Sequence, residues 1–96
     1  MTMENTDPDF YHRADAHISL ANSQVSNEVG AGKVSASFMY GMARYCAFVY
    51  AANSDSKPEL EADRDKAIEY FVEQFRLSFE ENFDDYVAHY EKYLNR

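Results

Sequence analysis

Residues 68–94 read IEYFVEQFRLSFEENFDDYVAHYEKYL, and the spacing of the apolar side chains in this stretch decides the fold. Eight of the apolar residues follow one another at steps of three or four positions, and their mean spacing of about 3.6 is the period of a straight α-helix. The spacing passes Asn82 without a change of phase. We therefore expect one helix, the third of the chain, from about Lys57 to about Leu94. Its apolar stripe consists of Ile68, Val72, Phe75, Phe79, Phe83, Tyr86, Tyr90 and Tyr93.

The N-terminal part of the chain predicts another amphipathic helix. Asp7 suits an N-cap and Pro8 suits a first helical position, since proline is preorganised for the first turn. Gly30 and Gly32 are expected to end the helix. We therefore expect helix 1 from about Pro8 to Glu28. Its apolar stripe consists of Phe10, Tyr11, Ala14, Ile18, Ala21, Val25 and Val29.

The segment between these two helices predicts helix 2, from about Val34 to Asn53. It is apolar on nearly every side, which is typical of a central, buried helix. A glycine inside a helix costs roughly 1 kcal/mol relative to alanine, so Gly41 suggests that another helix crosses closely there. Cys46 is the single cysteine of the chain and is expected to be a buried, unreactive thiol.

The length of the third helix predicts self-association, because at 1.5 Å per residue it would be about 55 Å long. If helices 2 and 3 form an antiparallel hairpin about Asp55, Val34 lies level with Arg76. Helix 3 then extends beyond its own hairpin from about Phe79 onwards. An exposed apolar surface of this size usually binds something, so either it pairs with another copy or the chain breaks near Asn82 and folds back. We favour an all-α fold, a helical hairpin plus a long third helix, assembled as an oligomeric bundle of two or more copies. The expected interface consists of Phe79, Phe83, Tyr86, Val87, Tyr90, Tyr93 and Leu94.

Length and charge restrict the class of protein. The 96 residues are expected to form one helical domain, residues 8–96, after a disordered tail at residues 1–7. The net charge is −8, and residues 59–96 alone carry eleven acidic against five basic side chains. Such a chain should not bind nucleic acid or an anionic membrane by charge. It has no secretory signal, and Arg44 interrupts its longest apolar run, so we expect a cytoplasmic protein.

Four polar side chains are candidates for a binding site, because the expected register of helices 1 and 2 brings them to one region. A charge within an apolar helix needs a partner, so we interpret Asp15 and Arg44 as an ion pair that clasps the two helices, with Asn22 nearby. Arg44 facing solvent or a partner chain is the alternative. The candidates are Asp15, His17, Asn22 and Arg44.

Patterns that carry catalysis or bind metals are weak or missing. The sequence has no phosphate-binding glycine loop and no nucleophile elbow. Glu81, Asp85 and His89 share one helix face at a spacing that can ligate a divalent ion. However, the Glu-x-x-His pairs of a di-iron bundle are absent. We assign no catalytic residue, no metal and no cofactor.

Three stretches carry a resemblance to a known family. They are FYHRADAHISLANSQ at residues 10–24, VSASFMYGMARYCAFV at residues 34–49 and FEENFDDYVAHYEKYL at residues 79–94. Together they resemble a family of short proteobacterial proteins, the domain of unknown function three-one-four-four. The resemblance implies a bacterial, soluble, helical protein, and it implies no activity.

Three functions are compatible with these observations. The leading prediction is a non-enzymatic helical interaction protein that self-associates through helix 3, with a further protein partner possible in addition. The second is a small-molecule or metal-binding bundle that uses the polar cluster between helices 1 and 2. The third is an inhibitor that presents the acidic face of helix 3 to a basic partner.

Overall fold

The computed structural model describes residues 7–94, which contain five α-helices and no β-strand. The predicted all-α fold is therefore confirmed. The described residues fall into two compact units, residues 7–56 and residues 57–94. The predicted disordered tail lies outside the described residues except for Asp7, and the single domain stays a prediction. The helices are α1 (Phe10–Ser23), α2 (Ala31–Ala52), α3 (Lys57–Ala62), α4 (Arg64–Ala88) and α5 (Tyr90–Leu94).

A turn centred on Asp7 leads into α1. The main-chain carbonyl of Asp7 accepts a hydrogen bond from the amide of Phe10 at 3.0 Å. Its carboxylate accepts bonds from the amide of Asp9 at 2.9 Å and from the guanidinium of Arg13 at 3.0 Å. The bond from Arg13 holds the pKa of Asp7 below its usual value. Helix α1 thus begins two residues after the predicted Pro8, because Asp7 satisfies these amides in a turn ahead of the helix.

The end of α1 lies at Ser23, five residues before the predicted Glu28. The hydroxyl of Ser26 accepts hydrogen bonds from the amides of Glu28 at 3.2 Å and Val29 at 3.1 Å. The amide of Ser26 in turn donates to the carbonyl of Val29 at 2.9 Å. Serine side chains of this kind offer the backbone an alternative to the helix. The last two residues of the predicted stripe therefore lie in a loop.

Helix α2 begins at Ala31, three residues before the predicted Val34. Gly30 precedes it with an extended backbone, and its carbonyl accepts a hydrogen bond from the amide of Val34 at 3.3 Å. Gly32 consequently lies within the first turn of α2 and does not separate the helices. Helix α2 ends at Ala52, one residue before the predicted Asn53.

Helices α1 and α2 contact each other. The ring of His17 on α1 lies 6.5 Å from the ring of Phe38 on α2, measured between centroids. Val34 is the only buried apolar residue among residues 7–94. The prediction that α2 is a buried helix is therefore wrong for the single chain, where Tyr40 is 72% exposed and Phe48 65% exposed. A helix that is apolar all round needs neighbours on several sides, and α1 by itself can cover only one of them.

Helices α3, α4 and α5 follow one another with single-residue interruptions at Asp63 and His89. The amide of Asp63 donates to the carbonyl of Glu59, and the amide of His89 donates to the carbonyl of Asp85, each at 3.0 Å. Both bonds span four residues, so the helical bonding of α3 and of α4 extends as far as the interrupting residue. The predicted start at Lys57 and the continuity through Asn82 are confirmed. The prediction of one helix from Lys57 to Leu94 is wrong, because the segment is interrupted at Asp63 and at His89, where the backbone leaves the helical region (φ −123°, ψ 36°).

Candidate functional site

One side of α4 and α5 carries a continuous apolar surface, which we call the α4–α5 face. Eight of its members recur every three or four residues, two more are their direct neighbours, and each of the ten is between 40% and 64% exposed. The seven residues predicted for an interface all belong to it. The face consists of Ile68, Val72, Phe75, Phe79, Phe83, Tyr86, Val87, Tyr90, Tyr93 and Leu94.

The aromatic rings of this face contact one another along the helix. The ring centroids of Phe75 and Phe79 are 5.8 Å apart, and those of Phe79 and Phe83 are 5.9 Å apart. Further along, the rings of Tyr86 and Tyr93 meet edge to face at 5.1 Å. These distances lie within the range in which aromatic pairs attract each other. The rings therefore contact one another within the single chain.

The exposed apolar area of the face is large for a chain of this size. Six half-exposed aromatic side chains and four half-exposed aliphatic ones together present about 900 Å². The largest apolar patch on an ordinary monomeric protein is roughly 300–600 Å², and such patches often bind a partner. The α4–α5 face is therefore the strongest candidate for a functional surface in residues 57–94.

Acidic side chains border the α4–α5 face. Arg76, the cation in the middle of α4, donates from Nε to Oε2 of Glu73 at 3.0 Å and also bonds Glu80. The hydrogen bond from Arg76 lowers the pKa of Glu73, and Glu73 and Glu80 raise the pKa of Arg76. Because two carboxylates share this one guanidinium, it does not neutralise the border.

Near the C-terminal end, a carboxylate orders two ring side chains. Nδ1 of His89 lies 3.0 Å from Oδ1 of Asp85. Asp85 also accepts a hydrogen bond from the hydroxyl of Tyr93, which raises the pKa of that phenol. The centroids of the His89 and Tyr93 rings are 6.2 Å apart. This arrangement positions Tyr93 at the end of the α4–α5 face with its polar tip already paired.

The predicted polar cluster is placed on α1 and α2, with Asp15, His17 and Asn22 on α1 and Arg44 on α2. All four side chains are exposed. Among residues 7–94, no hydrogen bond or ion pair joins Asp15 to Arg44, so the clasp between the two helices stays a prediction. His17 instead lies against Phe38.

A surface that the sequence interpretation did not assign as a site lies on α2, and we call it the α2 groove. It combines exposed aromatic rings with small residues of the same helix. A side-chain carbon added at Gly41 would meet nothing within 4 Å, so the close crossing predicted there is absent from the single chain. The spacing of the alanines, four residues apart, was the signal available in the sequence. The groove is lined by Tyr40, Gly41, Ala43, Arg44, Tyr45, Ala47, Phe48 and Ala51.

Other kinds of site have little support in the described residues. Within residues 7–94 no three His, Cys, Asp or Glu side chains cluster in a way that could hold a metal ion. Glu81, Asp85 and His89 therefore do not form such a cluster. None of the described helices combines the length and apolarity needed to cross a membrane. Cys46 is a free, half-buried cysteine.

Comparison with known proteins shows the family of the chain. A family model described as "Protein of unknown function (DUF3144)" matches residues 10–87, which confirms the resemblance predicted from the sequence. The NMR structure of the protein NB7890A from Shewanella sp is similar over 93% of this chain and 94% of that chain, with 33% sequence identity and a TM-score of 0.77. A search of curated proteins found no match.

Proposed function

This chain belongs to the DUF3144 family of proteins of unknown function, and we propose that it is a non-enzymatic interaction protein that self-associates through the α4–α5 face. The observation that supports this proposal most directly is the set of ten apolar side chains on one side of α4 and α5, each 40–64% exposed. Burying such side chains against a second copy removes apolar area from water, which is the main favourable term in protein association.

The area of the face supports a second copy as the occupant. A stable dimer of standard size buries roughly 800 Å² on each partner. The α4–α5 face offers about 900 Å² by the estimate from its side-chain types. The α4–α5 face by itself therefore supplies the area that one partner contributes to an ordinary dimer interface.

The composition of the face also fits an interface between proteins. Phenylalanine and tyrosine are enriched at interfaces, where the ring is buried and the tyrosine hydroxyl reaches a polar partner. Tyr93 already has such a partner in Asp85. The stacked pair of Phe79 and Phe83 also presents two adjacent rings to a partner.

Sedimentation equilibrium over a range of concentrations tests this proposal. The wild-type protein is expected to have a mass that is a multiple of the 11.1 kDa chain. The double substitution Phe79→Ser and Phe83→Ser should shift it to the single-chain mass. The matched control is Leu20→Ser, since Leu20 is 60% exposed but lies on α1, outside the face. A single-chain mass for the wild type, or an unchanged mass for the double variant, would contradict the proposal.

A ligand-binding bundle is the second candidate, and it would use the polar cluster of Asp15, His17, Asn22 and Arg44. Its support is weaker, because these side chains are exposed and the described residues contain no cluster able to hold a metal. Native mass spectrometry distinguishes the two candidates. A reproducible additional mass on each chain would favour a ligand, whereas bare multiples of the chain mass would favour self-association alone.

A further inference from the structure

The charges of α2 set this helix apart from the rest of the chain. Between Ala31 and Ala52 the charged residues are Lys33 and Arg44, and there is no acidic residue, so α2 carries a charge of +2. The two cations are eleven residues apart, which is three helical turns, so they lie on nearly the same side of α2 about 16 Å apart along the axis. Within residues 7–94, no hydrogen bond or ion pair involves Arg44.

The α2 groove presents exposed apolar side chains on one side of α2. Tyr40 and Phe48 are 72% and 65% exposed and are among the most exposed apolar side chains of residues 7–94. Ala47 and Ala51 lie one turn apart on the same surface, and a Cβ added at Gly41 would meet nothing within 4 Å. An amphipathic helix binds such a groove through apolar side chains spaced by three and four residues.

The α4–α5 face is complementary to this groove in charge and in spacing. Residues 57–94 carry eleven acidic and five basic side chains, a charge of −6. Glu80 of α4, which also bonds Arg76 of its own helix, and Glu91 of α5 are eleven residues apart, the same separation as Lys33 and Arg44. If the two helices run antiparallel, Glu80 lies level with Arg44 and Glu91 lies level with Lys33.

The same alignment places a bulky ring over the open part of the groove. With Glu80 level with Arg44, residues that face each other have numbers that sum to 124, so Phe83 lies level with Gly41. A ring at this position would lie beside Gly41, where an added Cβ meets nothing within 4 Å among the described residues. An antiparallel arrangement also aligns the helix dipoles favourably.

Resting on the proposed self-association, we propose that the α2 groove of one copy binds the α4–α5 face of a second copy in an antiparallel arrangement, with Glu80 and Glu91 of the second copy beside Arg44 and Lys33. Both copies carry both surfaces, so each copy offers a face and a groove for such contacts. Each contact then contains two ion pairs between copies.

Charge reversal followed by mixing of two variants tests this contact. Variant one carries Lys33→Glu and Arg44→Glu, and variant two carries Glu80→Lys and Glu91→Lys. Each variant alone is expected to dissociate at least about tenfold more easily than the wild type, because both pairs of every contact change from attraction to repulsion. An equimolar mixture should recover wild-type association, since every contact between the two variants joins opposite charges.

The control variant is Lys57→Glu with Lys66→Glu, which changes the net charge by the same amount as variant one but alters α3 and α4 outside the face. It should associate like the wild type. Circular dichroism checks that all variants keep their helical content.

Two different results separate the inference from the proposed function on which it rests. If Phe79→Ser with Phe83→Ser leaves the mass unchanged, self-association through the face is itself wrong. If that double variant dissociates but the mixture of charge variants shows no recovery, the face binds a different surface, and only the present inference is overturned.

Discussion

Phe83→Ser is the single substitution that most directly tests the α4–α5 face. Phe83 is 57% exposed, which corresponds to about 110 Å² of a side chain that presents roughly 200 Å². At about 25 cal/mol per Å², covering this area on association contributes about 2.8 kcal/mol. Loss of this contribution should raise the dissociation constant about 100-fold for each copy that carries the substitution. In a symmetric dimer both copies carry it, so the combined increase is expected to be between about 100-fold and 10,000-fold.

The stability of the single chain should change little. Serine and phenylalanine have similar helix propensities. Among the described residues, the ring of Phe83 contacts one other aromatic ring, that of Phe79. Sedimentation equilibrium measures the dissociation constant, and circular dichroism at a concentration where the wild type is dissociated measures the helical content. Leu20→Ser provides the control for the loss of an exposed apolar side chain. An unchanged dissociation constant for Phe83→Ser would refute the role of the face, and a loss of helical content would show that Phe83 stabilises the single chain instead.

Three further predictions concern individual residues. Gly41→Ala should stabilise the dissociated chain by up to about 1 kcal/mol, because alanine favours the helix and its Cβ meets nothing within 4 Å. Thermal unfolding measures this change, and a lower melting temperature would show that another group occupies that space. The phenol of Tyr93 has a raised pKa because it donates a hydrogen bond to Asp85, so Asp85→Asn should lower that pKa towards its usual value in an ultraviolet titration, and an unchanged pKa would contradict the bond. Arg76→Ala should raise the pKa of Glu73 in an NMR titration, because the guanidinium holds it low. The pair of Arg76 and Glu73 stabilises the chain at pH values above the ordinary glutamate range, and this stabilisation is lost as the pH falls through the lowered pKa of Glu73. If the free energy of unfolding of Arg76→Ala depends on pH as that of the wild type does, the pair makes no such contribution.

Local patterns in the sequence predicted most of the helical structure. The apolar spacing from Ile68 to Leu94 is a property of neighbouring residues, so it predicts a continuous helix and its apolar side without knowledge of the rest of the chain. The prediction of helix 1 was less accurate, since its apolar spacing continued to Val29. Its end depends on the hydroxyl of Ser26, which bonds two amides in a loop that competes with the helix.

The candidate surfaces were predictable to different degrees. The α4–α5 face contains every residue predicted for the interface, because one helical period determines which side chains share a side. The α2 groove was missed, since an apolar helix pattern does not distinguish a buried helix from one that awaits a partner. The structure was needed to show that Tyr40 and Phe48 are exposed and that the space at Gly41 is open.

The sequence by itself determined that this protein is helical, acidic and rich in apolar side chains along its last long helix, because helix period and charge are carried by residues close together in the chain. Only the tertiary structure decided which of those side chains are covered. Burial depends on contacts between residues far apart in the chain, and a single chain that buries only Val34 among its described apolar residues leaves most of its apolar area uncovered. That uncovered area is the physical reason to expect a second copy.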